Sequence, residues 1–135
     1  MGTFHATVEV GDPQGEQYEP IEATVDTGST YTWVPRDVLA RLAVEPQFRM
    51  EFLTADGRVI ERDVAQTWVR HNGSAHITFV VFGDEGSAPL LGAYTLEGFG
   101  LAPDPVSRRL VPVRRLALRL VEDLSTPAIA EEHYG

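Results

Sequence analysis

The sequence contains no cysteine and no lysine: all eleven basic residues are arginine. Without cysteine there can be no disulfide, no thiolate zinc site and no cysteine nucleophile. No stretch approaches the ~18 apolar residues of a membrane span. The opening MGTFHATVEV has neither the basic start nor the long apolar run of a signal peptide, so a cytoplasmic location is expected. Basic residues are scarce as well, with 11 against 20 acids and a net charge of −9. An acidic body disfavours nucleic acid, because phosphate contacts supply most of that affinity. Five of the arginines fall within 102–121 against the single acid Asp104, and four acids follow within 122–135. This local cluster reads as a solvated strand face or as a partner for the acidic tail. At 135 residues the chain has the size of one domain with a sufficient core of its own.

Most of the chain alternates with period two, the pattern of strands with one buried face. Phe4, Ala6, Val8 and Val10 alternate with His5, Thr7 and Glu9. After a turn over 11–15, Ile21, Ala23 and Val25 alternate with Glu22 and Thr24, which predicts a hairpin. A short strand over 31–34 leads into a short helix opened by Pro35 and Asp37, with Val38, Leu39 and Leu42 on one face. Phe48, Met50 and Phe52 alternate, Ala55-Asp56-Gly57 reads as a hairpin tip, and a strand over 59–70 follows. Asn72-Gly73 predicts a second hairpin, with its return strand over 77–82. Leu90-Leu91-Gly92 precedes a second short helix over 93–99, with Gly100 as its C-cap. Pro103-Asp104-Pro105 reads as a turn, and late strands are predicted over 110–113 and 116–121. The expected organisation is one domain over 1–121 and an acidic, flexible tail over 122–135. The predicted class is all-β with one or two short helices, arranged as a closed barrel or a sandwich.

The segment with chemical content is Val25-Asp26-Thr27-Gly28-Ser29, at the end of an apolar strand. Alone, it is also what a turn needs, with Asp26 capping backbone amides and Gly28 free to take positive φ. The order of its surroundings adds information. A short strand and helix follow it, then a hairpin tip about thirty residues on, and later two apolar residues, a glycine and a helix. This order resembles the retropepsin-like aspartic peptidases, the retroviral proteases and their single-domain bacterial relatives, over about residues 3 to 121. The resemblance implies a small closed acid-protease barrel that acts as a symmetric homodimer. With one Asp-Thr-Gly triplet per chain, the second carboxylate comes from a second copy across a two-fold axis.

Carried over residue by residue, the resemblance makes Asp26 the catalytic carboxylate. Thr27 becomes a grip that bonds the backbone of the opposite copy. Gly28 admits substrate backbone, and Ser29 bonds the outer oxygen of Asp26. Leu90, Leu91 and Gly92 support the loop from behind. Thr54, Ala55, Asp56, Gly57 and Arg58 are candidates for a flap that closes over the substrate. Trp33, Val34, Leu53, Ile60 and Phe82 are candidate pocket residues for apolar side chains beside the cut. No metal or other cofactor is expected, and the partners are a second copy and a peptide or protein substrate.

The sequence departs from the retroviral pattern at a paired position. The retroviral enzymes commonly carry an acid two residues past the Asp-Thr-Gly glycine and an arginine just after the later glycine, and the two pair. Here those positions are Thr30 and Ala93. Tyr94 stands where relatives often have Asp or Asn. An alternative reading is therefore the same fold as a weakly active or inactive peptide-binding or dimerisation module. A further one is an unrelated β-barrel in which Asp26 is a turn residue. His5, His71, His76 and His133 lack metal-ligand spacing, and no G-x-S-x-G nucleophile elbow is present.

Overall fold

A computed structural model describes residues 3–114. Nine strands and two short helices are found among them. β1 (His5–Gly11) and β2 (Tyr18–Val25) form the predicted antiparallel hairpin, in register from His5↔Thr24 to Gly11↔Tyr18. Its turn closes because the Asp12 carboxylate accepts the amides of Glu16 at 2.8 Å and Gln17 at 3.2 Å. Val8, Val10, Ile21, Ala23 and Val25 are buried, as the alternation requires.

β3 (Thr32–Pro35) runs into α1 (Arg36–Arg41), whose Val38 and Leu39 are buried. β4 (Phe48–Leu53) pairs antiparallel with β5 (Val59–His71), and β5 pairs onward with β6 (Ser74–Gly83). The two-residue β7 (Leu90–Leu91) lies parallel to β2 and antiparallel to β3. β3 in turn lies parallel to β6. The sheet order is therefore β1-β2-β7-β3-β6-β5-β4. A further pairing of β1 with β5, through Glu9↔Arg70 and Val10↔Val69, closes all of these except β4 into a ring. β4 is left as the outer arm of a hairpin projecting from that ring. Across the seam Glu9 and Arg70 make a bidentate pair at 2.8 and 3.0 Å, and the guanidinium lies 3.8 Å over the Tyr18 ring. Inside the ring Val10, Val34, Leu39, Val69, Val80 and Leu91 are essentially fully buried. Each such side chain contributes about 1.5–3 kcal/mol relative to exposure.

α2 (Ala93–Phe99) ends as predicted on Gly100, which takes the left-handed conformation at φ 70°. The turn expected at Pro103-Asp104-Pro105 is displaced. Residues Leu101–Asp104 form strand β8, paired antiparallel with β9 (Arg109–Pro112). The reversal comes at 105–108 instead, where the Asp104 carboxylate accepts the amide of Val106 and the hydroxyl of Ser107. A two-stranded ribbon is all edge, so Pro103 loses no ladder bond that the strand needs. Of the arginine cluster, Arg108 donates to the Thr3 carbonyl at 2.9 Å. The strand expected over 116–121 and the tail over 122–135 lie outside the described residues.

Candidate active site

β2 delivers Asp26 to its place, and non-local bonds hold the backbone there. The amides of Thr24, Val25 and Asp26 donate in turn to the carbonyls of Pro89 (3.0 Å), Phe4 (2.9 Å) and Leu91 (3.0 Å). The chain then turns sharply. The Gly28 amide donates to Oδ1 of Asp26 at 3.0 Å, and the Ser29 amide donates to the Asp26 carbonyl at 3.1 Å. The carboxylate is thereby oriented by its own loop while remaining half-buried. Gly28 stays out of the positive-φ region. Thr27 is exposed beside the carboxylate.

The loop rests on the start of α2. Ala93 donates its amide to the Ser29 carbonyl at 2.8 Å, and Tyr94 donates to that of Thr30 at 2.9 Å. First-turn amides of a helix have no partner within it, so the loop satisfies them. This backbone seam joins the two positions, Thr30 and Ala93, at which the charged pair of the retroviral pattern is missing. Gly92, the N-cap of α2, makes the seam possible. A Cβ there would lie 2.4 Å from the Tyr31 carbonyl oxygen and 2.9 Å from that of Ser29.

The Ser29 hydroxyl does not bond the outer oxygen of Asp26, as the resemblance implies; it donates to the Tyr31 carbonyl at 2.8 Å. That acceptor is closer along the tight turn and needs no side chain from elsewhere.

Sequence reasoning missed a buried hydroxyl cluster behind the loop. Thr32, Thr78 and Thr95 are all almost fully buried. The Thr95 hydroxyl lies 2.7 Å from that of Thr32 and 2.9 Å from that of Thr78. Gly92 donates its amide to Oγ1 of Thr32 at 3.0 Å. A signal was present: Thr32 shares the inward phase of Val34, and Thr78 that of Val80.

Opposite the loop stands the β4–β5 hairpin, and a cleft of about 470 Å³ separates the two. Asp26, Gly28 and Ser29 form one wall, and Thr54 and Ala55 of the hairpin tip reach it from the other side. Trp33, Phe52, Leu53, Ile60 and Leu90 make the rest of the lining apolar, and Trp33 meets Phe52 edge-on at 5.4 Å. Asp26 is the only ionisable side chain among the described residues lining this cleft. A second cleft of about 480 Å³ continues it past Thr30, Tyr31, Met50 and Glu51. Trp33, Leu53 and Ile60 thus face the cleft as expected. Val34 and Phe82 do not: both are buried in the core, because their strands turn those positions inward.

The hairpin tip is tied by its own side chains. The Thr54 hydroxyl accepts the Arg58 amide at 3.1 Å and bonds the Asp56 carboxylate, to which Arg58 Nε donates at 3.1 Å. The Thr54 hydroxyl, followed by the Arg58 guanidinium, holds the Asp56 carboxyl below its usual range. Gly57 supplies the positive φ of 87° that closes the turn.

The sequence model of the aspartyl protease family matches residues 6–95, a span that holds the Asp26 loop, the hairpin and Leu90-Leu91-Gly92. The chain belongs to the aspartyl protease family. Its fold is that of the single-domain retropepsin-like enzymes. The solution structure of simian foamy virus (mac) protease superposes with a TM-score of 0.51 at 21% identity, covering 74% of this chain and 99% of that one. The crystal structure of a retropepsin-like aspartic protease from Rickettsia conorii superposes with a TM-score of 0.52 at 22% identity, covering 77% and 86%. No curated protein matches the sequence significantly.

Proposed function

We propose that the protein is a homodimeric aspartic endopeptidase in which Asp26 of each of two copies forms one catalytic pair. The observation that carries this reading is the placement of Asp26. Among the described residues it is the single ionisable side chain lining a largely apolar cleft, its backbone is pinned from both sides, and a hairpin tip faces it. Two carboxylates a few ångströms apart cannot both ionise, so the pair holds one proton between them. The ionised member takes a proton from a water as its oxygen attacks the peptide carbonyl carbon. The protonated member gives its proton to the carbonyl oxygen, which yields a neutral tetrahedral diol. The carboxyl that took the water's proton then passes it to the amide nitrogen while the other carboxylate takes a hydroxyl proton from the diol; the C–N bond breaks, an acid and an amine leave, and the pair is singly protonated again.

In this reading Thr27 grips the partner copy across the axis, Gly28 admits substrate backbone, and Ser29 stiffens the loop through Tyr31. Leu90, Leu91 and Gly92 back the loop, and residues 54–58 close over the substrate. The apolar lining favours apolar side chains next to the cut bond. The reading places the enzyme in the cytoplasm; no described helix is long and apolar enough to cross a membrane.

The test is cleavage of a diverse peptide library by the full chain from pH 3 to 8, with the cuts mapped by mass spectrometry. Asp26→Asn keeps the shape and removes the ionisation, so cleavage should vanish while the fold and the dimer persist. Specific activity should follow the dimer fraction measured by sedimentation velocity on the same samples. Cleavage by Asp26→Asn above a few per cent of wild type, or full activity from a monomer, refutes the paired site. A folded dimer that binds peptides but cuts none at any pH supports the binding-module alternative, which the Thr30 and Ala93 departure motivates.

A further inference from the structure

The Leu91–Gly92 peptide has two anchored ends. Its carbonyl accepts the amide of Asp26 at 3.0 Å, and its N–H donates to the Thr32 hydroxyl at 3.0 Å. A peptide group is planar and stiff, so whatever sets the direction of the N–H also sets the direction of the carbonyl. Thr32 accepts that N–H and still has its own proton to place. Its hydroxyl neighbour is Thr95, at 2.7 Å, and Thr95 has Thr78 at 2.9 Å. All three are almost fully buried, so the loss of a hydroxyl partner is costly; Thr78 and Thr95 also border a cavity of about 580 Å³ beside α2. The three threonines come from β3, β6 and α2, and their hydroxyls tie the helix to the paired strands β3 and β6.

We propose that Thr95, with Thr78 behind it, is a positioning residue for the reaction, acting through Thr32 and the Leu91–Gly92 peptide to hold the Asp26 backbone at its catalytic height. The inference rests on the aspartic protease reading and goes beyond it, because Thr95 and Thr78 touch neither substrate nor Asp26. Without the Thr95 hydroxyl, the Thr32 proton must find another acceptor. Thr32 then rotates, the Gly92 N–H follows, and the Leu91 carbonyl tilts away from Asp26. Shifts well under 1 Å at a reacting group are costly to rate. They also change how close two facing carboxylates come. Separated carboxylates couple less, so their two ionisations move together and the bell-shaped pH profile narrows.

The experiment compares Thr95→Val and Thr95→Ser with Thr67→Val. Thr67 is an equally buried threonine, the cross-strand neighbour of Thr78, whose hydroxyl donates instead to the Gly11 carbonyl at 2.6 Å and so stands outside the Thr32–Thr95–Thr78 chain. Thr95→Val should lower kcat about tenfold with KM nearly unchanged, and narrow the pH profile. Thr95→Ser should restore both, while Thr67→Val should lower the melting temperature without altering the profile. Amide hydrogen exchange at Gly92 and Asp26 is read on the same samples and needs no activity. Thr95→Val should speed both amides about tenfold relative to Thr67→Val. Should Thr95→Val not fold, Thr78→Val carries the test and should move exchange and profile in the same direction by a few-fold. Exchange indistinguishable from that of Thr67→Val overturns the proposal. If wild type cleaves nothing, the protease reading fails, and the exchange data still decide whether this cluster holds the loop.

Discussion

Replacing Gly92 with alanine should damage the protein more than any other single methyl group added near the cleft. The added carbon would stand 2.4 Å from the Tyr31 carbonyl oxygen, 2.6 Å from the Tyr31 carbonyl carbon and 2.9 Å from the Ser29 carbonyl oxygen. Real Cβ atoms essentially never come within 3.0 Å of such neighbours. All three atoms are backbone, and two other bonds restrain them: Ala93 holds the Ser29 carbonyl, and the Ser29 hydroxyl holds that of Tyr31. None can swing aside as a side-chain tip would. Overpacking of this kind costs on the order of 3 kcal/mol, the upper part of its usual range. For a chain of this size that corresponds to a fall of about 10–15 °C in Tm. Relief of the clash must part the Asp26 loop from α2, so cleavage should fall further than the folded fraction does. Thermal denaturation followed by circular dichroism, at one fixed protein concentration because a dimer's Tm depends on it, gives the first number. Cleavage measured 20 °C or so below the variant's Tm gives the second. A Tm within 3 °C of wild type together with unchanged turnover would refute the close-packed seam.

Three further outcomes can be checked with modest effort. The rate of peptide cleavage should follow a bell-shaped pH profile with its optimum below neutral, since only the singly protonated pair works; a flat profile from pH 4 to 9 argues against the dyad. Replacing Asp56 and Gly57 together by proline removes the tip bonds and is incompatible with a φ of 87° at position 57, so turnover should drop severalfold while Tm moves only a few degrees; unchanged kinetics in a folded variant would make this hairpin plain surface. The hydrogen bond from Arg70 holds the Glu9 carboxyl below its ordinary value of 4.5. A lowered folded value means stability that is present above pH 4.5 and lost as the pH falls from there toward the folded value. Glu9→Gln should therefore flatten the dependence of Tm on pH below 4.5, and an undiminished slope would show that this seam pair carries none of it.

Local alternation was enough to place most of the strands, though not the two-residue β7 or β8. The hairpin of β1 and β2, the Gly100 cap and the tip at Ala55-Asp56-Gly57 all depend on residues within a few positions of one another. The Asp26 loop belongs to the same class, because a strand end followed by Thr-Gly-Ser turns by local chemistry. What failed locally was Pro103, which a rule about proline in strands excludes and a two-stranded ribbon tolerates. The inward phase of Val34 and Phe82 was legible too, but a cleft and a core are both apolar, and alternation does not distinguish them.

Ring closure lay beyond that reach. Glu9 and Arg70 are 61 residues apart, and nothing in either strand alone selects the other as neighbour. In sequence the Ser29 hydroxyl has more than one candidate acceptor nearby along the chain, and only the folded loop selects the Tyr31 carbonyl. Thr32 and Thr95 are separated by 63 residues and look, in sequence, like ordinary strand and helix threonines. Burial makes them partners, because a hydroxyl removed from water must bond to whatever hydroxyl the packing brings beside it. The sequence alone therefore determined most of the strands, the hairpin turns and the Asp26 carboxylate at the end of β2. Tertiary packing alone decided which backbone and which hydroxyls hold that carboxylate, since those partners meet only when the apolar faces of distant strands have closed on one another.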